Sequence, residues 1–193
     1  MTEWTRPSSL FKLLYEDENM GKNKQRCLAS CPCGQTAVEV IGAPIVSAVC
    51  YCDTCQAAGH AFERADGAPR TLGADGGTEY CLYRKDRVTV VRGGEYLQEH
   101  RLTPDSKTRR VVATCCNAPM FLDFTQGHWL SVYRSRLPAE VQSPQMRVMT
   151  SDRPAGVTLP DGIPNYPGRS PAFMIRLLLS WAAMGFRRPK VAW

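Results

Sequence analysis

The sequence predicts a mainly β domain fastened by cysteine clusters, followed by one helix near its C-terminal end. Three observations predict it. Short β-branched or alternating runs, broken by Gly and Pro, recur between residues 37 and 133. Five of the nine cysteines fall between Cys31 and Cys55, in Cys-x-Cys and Cys-x-Cys-x-x-Cys spacing. A long apolar run carrying helix-start signals is found at residues 173–186, after Ser170-Pro171.

Composition bounds the function classes. A chain of 193 residues, 44% hydrophobic and 22% charged, suits one globular domain with extensions. The cysteines are odd in number and clustered. The leader carries Glu3, Glu16, Asp17 and Glu18 and no apolar core of signal-peptide length. Together these point to a reducing compartment and metal thiolates, and so to a cytoplasmic protein. No uninterrupted apolar run reaches the length of a membrane span. The net charge of +6 is modest and lies partly at Arg187, Arg188 and Lys190. It would suit a small anionic molecule. Nucleic acid is not expected as a partner, because no basic stretch is interleaved with stacking aromatics.

Taken in order, residues 1–26 read as an N-terminal extension, with Leu10, Phe11, Leu13 and Leu14 forming an amphipathic turn or two. Residues 27–136 read as the β domain. Strands are expected at 37–41 and 45–49, the second running straight into Cys50, with a helical turn over 56–58 that stops at Gly59. Residues 63–79 read as a loop. Further strands are expected at 80–83, 87–91 and 96–102, the last two joined as a hairpin by Gly93-Gly94. Strands at 110–114, 120–124 and 129–133 complete the domain. Residues 137–193 read as an irregular arm, carrying Pro138, Pro144, Pro154, Pro160, Pro164 and Pro167, and then the helix. On that helix Phe173, Leu177, Trp181 and Met184 form one stripe, with Leu178 and Ala182 beside it. The stripe is expected to bury on the domain; it could also serve as a homodimer contact or lie on a membrane surface.

The cysteine spacing suits a metal better than disulfides. A disulfide inside Cys-x-Cys would close a very small, strained ring, whereas two such thiolates converge on one Zn²⁺ when the chain turns between them. Cys31 and Cys33 supply two ligands, with Gly34 helping the turn. Two more are needed, and Cys115-Cys116 is the natural distant source. Adjacent residues on a strand point to opposite faces, so Cys116 is the safer ligand. Cys115, Cys81 or Cys27 could be the fourth, with Cys115 preferred. Cys50, Cys52 and Cys55 supply three thiolates with no obvious fourth partner. Three protein ligands and an open position make a catalytic zinc, whose Lewis acidity would activate a bound thiol. The competing reading closes that site with His60 as a structural zinc. A metal-free redox pair is the other alternative.

These residues carry a resemblance. Cys31-Pro32-Cys33-Gly34, Gly42-x-Pro44, Cys50-x-Cys52-x-x-Cys55 and Gly59-x-x-Phe62, with the later Cys116-Asn117-Ala118-Pro119-Met120-Phe121, resemble the glutathione-dependent formaldehyde-activating enzyme family, which includes centromere protein V. The resemblance covers about residues 29–125. It departs from the family pattern at Ala113, where the second knuckle usually has a cysteine, and at Asn117, Tyr51 and Gln56. It implies a β-tent fold with two zinc sites. Cys50, Cys52 and Cys55 would hold the catalytic zinc, and Cys31, Cys33 and Cys116, with Cys115, the structural one. The implied activity is that of a carbon–sulfur lyase acting on the glutathione adduct of formaldehyde, with a substrate pocket near Tyr51, His60 and Phe62. The alternative is a non-enzymatic zinc-binding module that presents the same scaffold to a protein partner.

Overall fold

Alternation along one central strand decides the architecture. β4 (Thr78–Arg84) carries Tyr80 and Leu82 on one face and Cys81 and Tyr83 on the other, and all four side chains are buried. A strand that is apolar on both faces needs cover on both sides. The computed structural model, which describes residues 25–193, supplies a second sheet on one side and helices with an arm on the other.

The smaller sheet contains β1 (Arg26–Ser30), β2 (Ala37–Ile41) and β5 (Val88–Arg92), antiparallel, with β2 in the middle. The larger sheet adds β3 (Val46–Cys50), β6 (Leu97–His100), β7 (Thr108–Ala113), β8 (Ala118–Phe124), β9 (Trp129–Tyr133) and β10 (Met146–Val148) to β4. Its order is β10-β3-β4-β9-β8-β7-β6, and β10 alone pairs in parallel, on β3. Ala29, Val38, Val40 and Val88 of the small sheet pack on Tyr83, Val111, Phe121, Leu130 and Val132 of the large one. The other face carries Val46, Ala48, Tyr80, Leu82 and Tyr133 against Cys55, Met146, Val148 and Leu177. Large apolar side chains of this kind contribute about 1.5–3 kcal/mol each when fully buried. Two cores sharing one sheet therefore fold together.

The mainly β expectation holds, with the strands at 37–41 and 129–133 in place to the residue. The hairpin at Gly93-Gly94 does not form. β5 pairs with β2 and β6 pairs with β7, so the glycines carry the chain from one sheet to the other. Gly93 has a φ of +65°, and a Cβ there would collide with the Gln35 carbonyl. Close backbone approach at the crossover, rather than a tight turn, requires this glycine. The helical turn expected to stop at Gly59 is instead α1 (Asp53–Phe62), which runs through it. The Leu72 side chain occupies the space a Cβ at Gly59 would need. The arm is also more than irregular, since β10 is buried throughout and edges the sheet beside Cys50.

α2 (Pro171–Ala182) begins as expected, the Ser170 hydroxyl accepting from the Phe173 amide at 3.0 Å. Leu177 and Met184 are buried, and Phe173 and Trp181 half-buried, so the expected stripe docks on the body. Leu178 and Ala182 face outward instead, joined by exposed Met174, Ile175 and Leu179. Among the described residues no helix is long and apolar enough to cross a membrane. Leu10, Phe11, Leu13 and Leu14 lie outside the described residues.

Candidate metal centres

Two turns build the first cluster. Between β1 and β2 the chain reverses at Gly34, with a φ of +75°, and the Cys31 amide donates to the Thr36 carbonyl at 3.0 Å. Between β7 and β8 it reverses at Asn117, with a φ of 55°. Asparagine tolerates this left-handed conformation better than most residues. Cys115 and Cys116 lie in that second turn rather than on a strand, so both sulfurs can reach one point. The Sγ atoms of Cys31 and Cys33 are 3.4 Å apart, those of Cys33 and Cys115 3.4 Å, those of Cys31 and Cys115 3.8 Å, and those of Cys115 and Cys116 4.0 Å. A tetrahedral ion with thiolate bonds of about 2.3 Å needs sulfur–sulfur edges of about 3.8 Å. The four cysteines match that cage. Cys81 does not join them; its sulfur meets the Ser47 hydroxyl at 3.2 Å. Cys27 packs half-buried against the first core.

Burial opposes ionisation of Cys31, but the Thr36 amide, 3.2 Å from its sulfur, and the neighbouring thiols bring its pKa down to about 7. Burial and the Cys33 thiol push Cys115 up to about 12, and burial also raises Cys116. Cys31 gives up its proton readily, while Cys115 and Cys116 hold theirs until a cation enters.

The second cluster is more local. Cys50 ends β3, Cys52 is the N-cap residue of α1, and Cys55 lies in its first turn. The Cys52 carbonyl accepts from the amides of Cys55 at 2.9 Å and Gln56 at 3.1 Å, which locks the turn carrying the sulfurs. The three ligand atoms lie within 4.8 Å of one another, with Cys50 and Cys55 at 3.8 Å. The thiols of Cys50 and Cys55 hold Cys52 far below the ordinary thiol range, to about 2, while contact with Cys52 pushes Cys50 up. Cys52 is therefore the first thiolate of the cluster, and the positive end of α1 favours it there.

The sulfurs form part of the wall of a cavity of about 530 Å³. Leu82, Leu122, Phe124, Trp129, Phe173 and Leu177 give it an apolar lining, and Thr54, Arg110, Asp152 and Arg169 supply polar groups. Tyr51, His60 and Phe62, expected beside a substrate, do not line it. The Tyr51 side chain is buried on the other side of the extended segment after Cys50, donating to Asp75 at 2.6 Å. His60 and Phe62 lie at the far end of α1, five and seven residues past Cys55. At about 1.5 Å per residue that puts them on the order of 8–10 Å along the axis. His60 is exposed there, so it does not close the triplet, and Phe62 is buried edge-on against His100 at 5.2 Å. Arg110 and Trp129, which the sequence did not single out, line the cavity instead. Arg110 alternates along β7 with Val111 and Ala113, which belong to the first core, and the pleat sends it to the opposite face. Because Arg109 stands beside it in Thr-Arg-Arg-Val-Val-Ala, nothing in the sequence alone singles Arg110 out.

No family model matches the chain, and no curated protein matches it. Among solved structures, it is similar to one titled as the crystal structure of a Rhodobacter sphaeroides protein, with 15% identity and a TM-score of 0.44. That match covers 72% of this chain and 98% of the other, whose title names no activity.

Proposed function

We propose that this protein is a zinc-dependent enzyme of the glutathione-dependent formaldehyde-activating type, joining a thiol to a small aldehyde. The observation that carries it is the open triplet: three sulfurs facing a cavity, with no fourth cysteine, histidine or carboxylate in their group among the described residues. All-sulfur donors in tetrahedral spacing suit zinc. The ion would be held by Cys50, Cys52 and Cys55 and would lower the pKa of a thiol entering its fourth position. The substrate sulfur then adds to the aldehyde carbon, a C–S bond forms, the carbonyl π bond breaks, and the thiol proton ends on the oxygen. The chain's own contribution is to exclude water with the apolar walls and to fix the triplet by the start of α1. Cys31, Cys33, Cys115 and Cys116 would hold a closed, structural zinc that ties the β1–β2 turn to the β7–β8 turn.

A second reading is favoured by one observation. Met174, Ile175, Leu178, Leu179 and Phe186 are all 45–59% exposed. An apolar surface of this kind suits a partner or a second copy, as a non-enzymatic module would use it.

Zinc stoichiometry separates the two. Native protein purified without chelator should carry two zincs, and Cys52→Ser one, with glutathione binding lost in the variant. A single zinc indifferent to both the substitution and glutathione sinks the enzyme reading and leaves the module.

A further inference from the structure

We propose that the cavity beside the cysteine triplet binds a carboxylate through Arg110, so that its substrate is a small monocarboxylate thiol with an apolar body. This rests on the thiol-binding reading of the triplet and names the substrate class it would take. Arg110 is 1% exposed and forms part of the cavity wall. Its Nη2 donates to the Thr54 carbonyl at 2.8 Å, which fixes the guanidinium beside the first turn of α1. Its Nε has no acceptor. No carboxylate among the described residues forms an ion pair with it; of the other buried cations, Lys85 is paired with Asp123 at 2.7 Å, while Arg136 and Arg147 also form no ion pair there.

A buried guanidinium without a partner is costly, and a planar fork with free donors matches a carboxylate. The sulfurs of the triplet can offset its charge through space, but none of them accepts a hydrogen bond from it. The ligand's remaining surface is set by Leu82, Leu122, Phe124, Trp129 and Leu177, which offer nothing to a polar chain. Glutathione carries charged groups at both ends, so after one end reaches Arg110 the other would have to pass this apolar wall to reach Asp152 or Arg169. A short chain with sulfur at one end and carboxylate at the other fits both fixed points.

The test is calorimetric titration of zinc-loaded full-length protein with 3-mercaptopropionate, its neutral amide, butanoate and glutathione. The acid is expected to bind at least about tenfold tighter than the amide, the effect of one charge-assisted contact. It should also bind more tightly than glutathione. Arg110→Met should erase the acid–amide difference while thiol binding persists, and Arg110→Lys should keep part of it. Because Arg110 also holds Thr54, the acid–amide comparison in the native chain decides the matter even if Arg110→Met fails to fold. Equal binding of acid and amide overturns the proposal and leaves the thiol-binding triplet standing. Butanoate binding as tightly as 3-mercaptopropionate, and lost with Arg110→Met, supports the carboxylate subsite and overturns the thiol reading instead.

Discussion

The imidazole of His128 stacks on the indole of Trp181, with ring centroids 5.7 Å apart and planes inclined by 6°. Its Nε2 lies 3.2 Å from the Ser180 hydroxyl. His128 belongs to the turn before β9, and Ser180 and Trp181 to α2, so this contact clamps the helix to the edge of the cavity that Phe173 and Leu177 line. The clamp works with a neutral ring.

That neutrality makes the clamp sensitive to acid. Burial lowers the His128 pKa from 6.5 to about 4, helped by the positive charges of Lys85, Arg84 and Arg188 and opposed by the Leu177 carbonyl. The folded value lies below the unfolded one, so the unfolded chain takes up the proton first. The contribution is complete above about pH 6.5 and is lost as the pH falls toward 4. Urea midpoints at pH 7 and 4.5 should show a loss of about 2 kcal/mol in the native chain beyond that of His128→Gln. Parallel pH profiles for the two proteins would remove His128 as the cause.

The first cysteine cluster should act as a staple rather than as chemistry. Cys31→Ser and Cys116→Ser each leave three sulfurs in a cage built for four. Both variants should release one zinc and lose about 3 kcal/mol or more of stability, and chelation of the native protein should approach the same state. Cys27→Ser, outside the cage, should change stability by less than about 1 kcal/mol. Thermal unfolding with metal analysis on the same samples checks it. Equal losses in all three variants would mean that thiol packing, not a metal, holds the turns together.

The local parts of this structure were legible, and the distant parts were not. β9 and the Cys50–Cys55 motif are set by alternation and spacing within a few residues. β1 (Arg-Cys-Leu-Ala-Ser) has no alternation to read and becomes a strand by pairing with β2. β10 is three residues inside a proline-rich arm, ordered by the Cys50 end of β3. The cavity is the same case on a larger scale. Its sulfurs come from one motif, but Arg110, Trp129 and Phe173 arrive from β7, β9 and α2, which only the folded sheet and the docked helix bring together. Residues near the motif in sequence, Tyr51, His60 and Phe62, do not line the cavity, because an extended segment and a helix carry them away.

Opposite faces of α2 should respond differently to truncation. Leu177 is 5% exposed and sits in the second core, whereas Leu178 is 56% exposed. Leu177→Ala should cost about 2–4 kcal/mol and raise the exposure of the cavity. Leu178→Ala should stay within about 0.5 kcal/mol. Denaturant midpoints decide between this docking and a helix turned by one residue, which would exchange the two values.

The last comparison isolates backbone strain from side-chain collision. Gly34 and Gly93 both have positive φ, +75° and +65°, so alanine at either position pays the left-handed penalty of about 1–2 kcal/mol. At Gly34 nothing lies within 4 Å of the added Cβ. At Gly93 the same atom runs into the Gln35 carbonyl and the Thr36 backbone, which belong to the turn carrying Cys31 and Cys33. Neither backbone can yield without moving the crossover between the two sheets. Gly93→Ala should therefore cost about 3 kcal/mol or more against about 1 kcal/mol for Gly34→Ala, and it alone should weaken metal binding by the four-cysteine cluster. Chemical denaturation with a competing chelator measures both effects. Equal costs for the two substitutions would show that the sheets meet less closely at Gly93 than the structure has them.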